Sequence, residues 1–331
     1  MATVAETADR PAIHHHAWSI AAIVLLAALM LGSGMQATFP ADWQIPLGGH
    51  IDGLHDWLVR NRATSPVFVF AFRPLAFAAA YGLAEINAQL TLLSWPGVLL
   101  VVGTTAVVVT GWRIAAIAVA ALVGIGLLGQ WDDAMTTLAL MGVAVLVSVA
   151  IGVPLGVLAA RVRWVEHAVR PVLDAMQTVP AYVYLLPLVF LFGIGNPAAI
   201  VATIIYALPP AVRLTTLGIQ QVPRESLELG AAVGTTSGQL LRTIQLPLAM
   251  PSIRVGVNQT IMMALAMAVI GSLVGATGLG LEVFRSLQTL EIGRALDAGL
   301  AIVLLAVVLD RTDICAGAHA APTAKRRPRW A

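Results

Sequence analysis

Residues 134–160, and again residues 175–212, carry no charged side chain. A helix on the surface of a soluble domain needs one polar face, so uninterrupted runs of this kind do not suit one. They suit the hydrocarbon slab of a bilayer, which about 20 residues of helix cross. Further uncharged runs occupy 17–34, 91–110, 114–131 and 255–281, with charges gathered at short breaks such as Gly111-Trp112-Arg113 and Asp132-Asp133. With 59% hydrophobic and 11% charged residues, the composition agrees. The predicted class is an all-α polytopic membrane protein with about eight transmembrane helices.

Local chemistry refines the spans. Gly193-Ile194-Gly195-Asn196-Pro197 in the middle of 175–212 is a turn signal, so a hairpin of two helices is expected there. Gly152, Pro154 and Gly156 near the end of 134–160 predict a long, kinked span. The run 161–170 reads as an arginine-rich loop, and 298–309 is short for a span unless 294–297 contribute. Residues 35–90 read as an extracytoplasmic or interfacial amphipathic segment, because Asp42, Asp52, Asp56 and Arg60 stand with Trp43 and Trp57. Arg73-Pro74 interrupts the apolar stretch 67–84, and an arginine at mid-bilayer costs roughly 3 kcal/mol. Residues 1–16 form a polar cytosolic leader ending in His14-His15-His16. Adjacent histidines do not converge on one ion within a regular helix, so no metal site is assigned. Residues 17–34 are read as a retained first span, with a cleaved signal peptide as the rival. The tail 312–331 carries Lys325, Arg326, Arg327 and Arg329 and is read as cytosolic.

One polar island, 222–251, reads VPRESLELGAAVGTTSGQLLRTIQLPLAMP. Pro223 suits the first position of a helix, and Glu225 suits its positive end. Gly234 breaks that helix, Thr236 and Gln239 have capping-box spacing, and a second short helix with Leu240, Leu241 and Ile244 on one face is expected to stop at Pro247. Read alone, Gly234 either ends a surface helix in a linker or is a bend required by the knob itself. Placing the island in the cytosol puts Arg113, 161–170 and the basic tail inside and Asp132-Asp133 outside, which is the positive-inside pattern.

Several functions are excluded. Lys325 is the single lysine, so no GxxxxGK[ST] loop exists and the chain is not expected to hydrolyse ATP. Cys315 is the single cysteine, which rules out an intrachain disulfide. No basic face suggests nucleic acid. Asp174, Arg213 and Arg254 lie near span ends, and no mid-span carboxylate is left for ion coupling. No catalytic residues are assigned. Asn258, Gln259 and Thr260 are polar at the start of one helix, where they either line a path or bond helix to helix. Tyr182 and Tyr184 invite a cation–π site, although two residues apart they do not share a helical face.

Glu228, Gly234, Ile244, Leu246 and Pro247 have the spacing of the EAA signature of permeases in binding-protein-dependent ABC importers, with Leu229 and Gly230 where that signature has alanines. The flanking segments 173–180, 192–195, 208–215, 217–223 and 256–262 resemble the glycine betaine/proline permeases, and the likeness covers roughly 95–311. It implies a type I ABC importer permease (MetI-like) fold, a transmembrane domain over 91–311, and a place in the plasma membrane of a prokaryote. It also implies that 222–251 couples to cytosolic ABC ATPase subunits. ATP and Mg would reside on that partner, with no cofactor in this chain. An extracytoplasmic solute-binding protein, a permease homodimer and membrane lipid complete the implied partners. The span at 17–34 is additional to the family's usual arrangement, and 312–331 has no counterpart in it. The alternative is a non-transport membrane scaffold or assembly protein, with an intramembrane enzyme a distant third.

Overall fold

The computed structural model describes residues 20, 22–26, 28, 47–61, 64–66 and 68–318, and among them every regular element is helical. The leader, most of the expected first span at 17–34, and the end of the tail lie outside the described residues. The chain divides into two units, Met1–Asp56 and Trp57–Ala331. In the first, helical positions lie at 20, 22–26 and 28 and in the start of α1 (Leu47–Asn61). All that follows concerns the second.

A π-helical turn, Phe68–Phe72, leads into α2 (Arg73–Thr110). Ser94, at φ 50° and ψ 167°, divides α2 into two arms. Contacts along the first arm descend α4 (Trp131–Arg161): Thr91 and Ser94 share a cavity with Trp131 and Met135, while Gly82 faces Val143. Contacts along the second arm descend α3 (Trp112–Leu127): Trp95 lies by Leu127, Gly103 faces Val119, and Val108 lies by Trp112. The two arms therefore run in opposite senses, and the chain reverses at Ser94. Gly111, at φ 103° and ψ 164°, makes a similar one-residue reversal between α2 and α3. Glycine enters that region freely, whereas Ser94 holds it against the steric preference of an L-residue.

After α4 come α5 (Arg163–Thr178), a 3₁₀ turn Ala181–Tyr184, α6 (Leu185–Phe192) and α7 (Asn196–Gln220). The Gly193–Pro197 turn forms as the sequence indicates, but its first arm is short. The region 161–170 is not a loop: α5 is an amphipathic helix with Leu173 buried, and it meets the Ala181–Phe192 segment at 106°. Then follow α8 (Arg224–Ala232), α9 (Ser237–Leu240), a π turn Leu241–Gln245, α10 (Leu246–Ile270), a 3₁₀ turn Gly271–Val274, α11 (Leu279–Thr289) and α12 (Ile292–Ala318). Residues 294–297 do contribute to the last helix, which makes it long enough to span.

Five of the described runs are long and apolar enough to cross a membrane, or six with the bent pair. The expected figure of about eight counted 17–34 and 114–131 as spans and split 175–212 in two. The first lies mostly outside the described residues, α3 is a shorter apolar helix, and the split region yields one full helix plus α6. Phe68–Thr110, taken as one run, contains the Ser94 reversal.

Helix α7 is the axis, packed against α4 on one side and α10 on the other. On α4, Gly152 and Gly156 make a small-residue stripe facing α7. A Cβ on Gly156 would stand 2.7 Å from both Thr215 Cβ and the Val212 carbonyl. The Thr216 hydroxyl donates to the Gly156 carbonyl at 3.1 Å. On the other side a Cβ on Gly218 would stand 2.7 Å from Ser252 Cβ. In hydrocarbon, helices gain little from apolar burial alone, so backbone-close packing of this kind decides which helices pair. At one end of the bundle, loop 275–278 is tied down by Thr277 N–H to Asn196 Oδ1 (2.9 Å), and the Leu279 N–H just beyond it donates to Thr137 Oγ1 (2.9 Å). Opening the α4–α7 contact tests this arrangement. Gly156→Val is expected to cost about 1–3 kcal/mol by overpacking and to lower the thermal midpoint in detergent. Gly299→Val, whose Cβ would meet nothing within 4 Å, is expected to leave that midpoint unchanged.

Candidate functional site

At the other end of the bundle, 222–251 folds into a compact knob. Pro223 is the N-cap of α8 rather than its first residue, a shift of one position, and its carbonyl accepts from Ser226 N–H at 3.1 Å. Glu225 lies in the first turn, where the helix end is positive. Gly234, at φ +79°, closes α8 in a Schellman motif: its N–H donates to Ala231 O (2.9 Å) and Thr235 N–H donates to Gly230 O (3.2 Å). Nothing lies within 4 Å of a Cβ built on Gly234. The need for glycine there comes from the backbone, not from crowding. The expected capping box is present, with Thr236 N–H on Gln239 Oε1 at 2.9 Å and Gln239 N–H on Thr236 Oγ1 at 3.4 Å.

Pro247 corrects one expectation. It stands in the first turn of α10 and does not stop the preceding helix; Ser237–Val274 is one continuous helical run. The π turn Leu241–Gln245 directly before it widens the helix where the proline ring and its missing N–H would break a tighter spiral.

The two limbs of the knob meet at Gly230. A Cβ there would lie 2.5 Å from Leu240 Cδ1 and 2.8 Å from Ile244 Cδ1. Ile244 thus fills the crook of the bend. Leu241 and Leu246 pack into a cluster with Ile219, Ala249 and Ile253, against Val153 and Val157 of α4. Arg161, the last residue of α4, donates to the Ser237 carbonyl. The knob is therefore tied to the ends of α4 and α7 and is continuous with α10.

Of the five signature residues, Glu228 and Pro247 are exposed, Gly234 sets the bend, and Ile244 and Leu246 pack inward. Sequence reasoning missed Leu229 on α8 and Val233 at its C-cap, which are 69% and 82% exposed. Their signal is a pair of large apolar side chains four residues apart, a spacing that puts them on one helical face. Exposed apolar groups grouped on a polar knob mark a contact surface.

The path candidates are less uniform. Asn258 is half-buried, and its Oδ1 has no hydrogen-bond partner among the described residues. Gln259 is exposed. Thr260 is fully buried and its hydroxyl donates to Gly256 O at 2.9 Å, within its own helix. Tyr182 is exposed, and Tyr184 donates its hydroxyl to the Met176 carbonyl at the end of α5. The 3₁₀ turn bearing both tyrosines packs on α10, so the structure brings this turn to the helix that carries Asn258. Near the knob, α5 and α7 enclose a cavity of about 430 Å³ lined by Glu166, Arg170, Asp174, Arg213 and Gln220. Arg213 pairs with Asp174, and Arg170 pairs with Glu166 at 2.8 Å. Among the described residues no group of three His, Cys, Asp or Glu side chains is placed to hold a metal.

Residues 152–312, which include the knob and α7, match the family model described as "Binding-protein-dependent transport system inner membrane component". The chain is 41% identical over 283 residues to the glycine betaine/proline betaine transport system permease protein ProW of Escherichia coli (strain K12), covering 86% of this chain and 78% of that protein. It is 42% identical over 275 residues to the glycine betaine transport system permease protein OpuAB of Bacillus subtilis (strain 168), covering 81% and 93%. In fold it is similar to a chain of the MetNI methionine ABC transporter, with a TM-score of 0.53 at 22% identity, covering 58% of this chain and 96% of that one. A bundle with a tethered polar knob, matched over most of its length to such permeases, belongs to the binding-protein-dependent ABC transport system inner-membrane components and is a multi-pass permease subunit, not an enzyme in itself.

Proposed function

We propose that this chain is the permease of an ATP-driven importer for glycine betaine, proline betaine or a related compatible solute. The observation that carries the reading is the knob: a bent pair of short helices, exposed at Glu228, Leu229 and Val233 and fastened behind to α4, α7 and α10. The solute class is supported by the relatives from Escherichia coli and Bacillus subtilis, which are glycine betaine transport system permeases. A scaffold role is not favoured, since a scaffold has no need for an exposed element wired rigidly into the packed core of a bundle.

In this reading the knob seats on a cytosolic ATPase subunit that holds ATP and Mg. Two permeases form a dimer, and an extracytoplasmic binding protein delivers the solute. When the ATPases close, the knob moves with them. Arg161 and the Leu241–Leu246 cluster carry the movement into α4, α7 and α10. The coupling is a population shift, so the ATPase states must bind the knob with different affinities. Asn258, Gln259, Tyr182 and Tyr184 line the path, where the unpaired Asn258 oxygen turns the negative end of its dipole to the quaternary nitrogen of the passing solute. Thr260 serves the same segment by fixing its helix locally.

Three variants separate the parts of this scheme. Gly234→Asp puts a side chain on a left-handed residue, at about 1–2 kcal/mol, and is expected to lower radiolabelled glycine betaine uptake at least tenfold with unchanged insertion and protein level. Uptake equal to the parent protein would sink the coupling role. Leu229→Ser with Val233→Ser is expected to abolish co-purification of the ATPase while leaving the permease's thermal midpoint intact. Arg161→Met is expected to retain the ATPase but reduce solute moved per ATP hydrolysed, measured in proteoliposomes.

A further inference from the structure

Three cavities adjoin along one flank of the bundle, on the end of the first arm of α2, its second arm, α3 and the start of α4. The first, about 370 Å³, is polar and lined by Asn87, Thr91, Ser94, Asp132 and Thr136 together with Trp95 and Trp131. The second, about 500 Å³, shares Trp95 and Trp131 and is otherwise apolar, with Leu99, Leu122, Val123 and Leu127. The third, about 550 Å³, shares Leu99 and continues past Gly103 to Val108 and Trp112. Together they make a track with one polar end. From Trp95 to Val108 the helix rises about 20 Å, compared with about 15 Å for one hydrocarbon leaflet.

The polar end has a definite chemistry. Thr91, Ser94 and Thr136 already donate their hydroxyl protons to backbone carbonyls, at 2.8, 2.7 and 2.9 Å. Their oxygens remain as acceptors. Asp132 is a carboxylate, which when ionised accepts only, and it makes no ion pair among the described residues. No arginine or lysine lines any of the three cavities. Asn87 and the two indoles bring neutral N–H donors as well, but the one charge in the lining is the Asp132 carboxylate, so the pocket disfavours an anionic headgroup and favours a cation with N–H donors.

We propose that this track binds one phospholipid of the outer leaflet through a primary ammonium headgroup. The ammonium sits against Asp132 and the hydroxyl oxygens, between Trp95 and Trp131, and an acyl chain lies along Leu99, Val123 and Leu127. A primary ammonium is specified over a trimethylammonium because the pocket offers several acceptors and a methylated nitrogen has no proton to give them. The leaflet follows from the charge-based orientation, which puts Asp132 on the outer side.

The full-length chain, reconstituted in nanodiscs of equal parts phosphatidylethanolamine, phosphatidylcholine and phosphatidylglycerol, is extracted gently and its retained lipid is measured by native mass spectrometry. One phosphatidylethanolamine per chain is expected, in at least fivefold excess over either other lipid. Asp132→Asn, at an exposed position, is expected to lower that retention about tenfold, the loss of one charge-assisted contact, with the thermal midpoint unchanged. Val123→Phe is expected to reduce retention of every lipid by filling the track. Equal retention of phosphatidylglycerol or phosphatidylcholine, or indifference to both substitutions, overturns the proposal. So does release of the lipid by free glycine betaine, which would make the pocket a solute site. Crosslinking between copies through Val123→Cys would assign the groove to a second permease and overturn it equally.

Discussion

The structure depends on how closely the backbone of α7 can approach its neighbours. In hydrocarbon there is no water to drive helices together, so pairing goes to the surfaces that let main chains touch. Gly152 and Gly156 on one side, and Gly218 on the other, let them do so. Hydroxyls then add bonds that no lipid offers, as Thr216 does to the Gly156 carbonyl and Ser148 to the Ile204 carbonyl at 3.4 Å. Three helices locked in this way form a frame. The glycine-rich loop closes one end; the polar knob hangs from the other.

The knob illustrates how local rules and tertiary contacts share the work. Its caps are local: a Schellman turn at Gly234 and a capping box at Thr236 satisfy main-chain donors that the exposed bend would otherwise leave to water. Its shape is tertiary, because the limbs fold together only as far as the missing side chain of Gly230 permits. In this chain Leu229 and Gly230 stand where related signatures have alanines. The second change deepens the crook, and the first adds apolar surface at the tip. Both features suit a knob that is pressed into another protein.

Much of this was legible in the sequence wherever a residue's chemistry acts on its near neighbours. The uncharged runs marked α4 and α7, Gly193–Pro197 marked a reversal, and Thr236 with Gln239 marked a helix start. What was not legible depends on residues far apart. Serine carries no signal for φ 50°, so the reversal at Ser94 was hidden inside an apolar run. The arginines of 161–170 suggested a loop, but Val169, Leu173 and Met176 share a face and dock beside Leu208 and Val212. Pro247 looked like a stop because the π turn that admits it has no sequence rule. Arg161 reaches Ser237 across the fold, which no local pattern foretells.

That π turn has a mechanical meaning. Since Pro247 opens a helix instead of ending one, Ser237 and Val274 belong to a single rod, which reaches from the knob to the loop fastened by Asn196 and Thr137. Load applied at one tip arrives at the opposite tip without crossing a joint. The widened coil at Leu241–Gln245 and the helix-interior Pro251 both lie within the knob, so any give in the linkage is concentrated beside the point of attachment, and the remainder to Ile270 turns as one shaft.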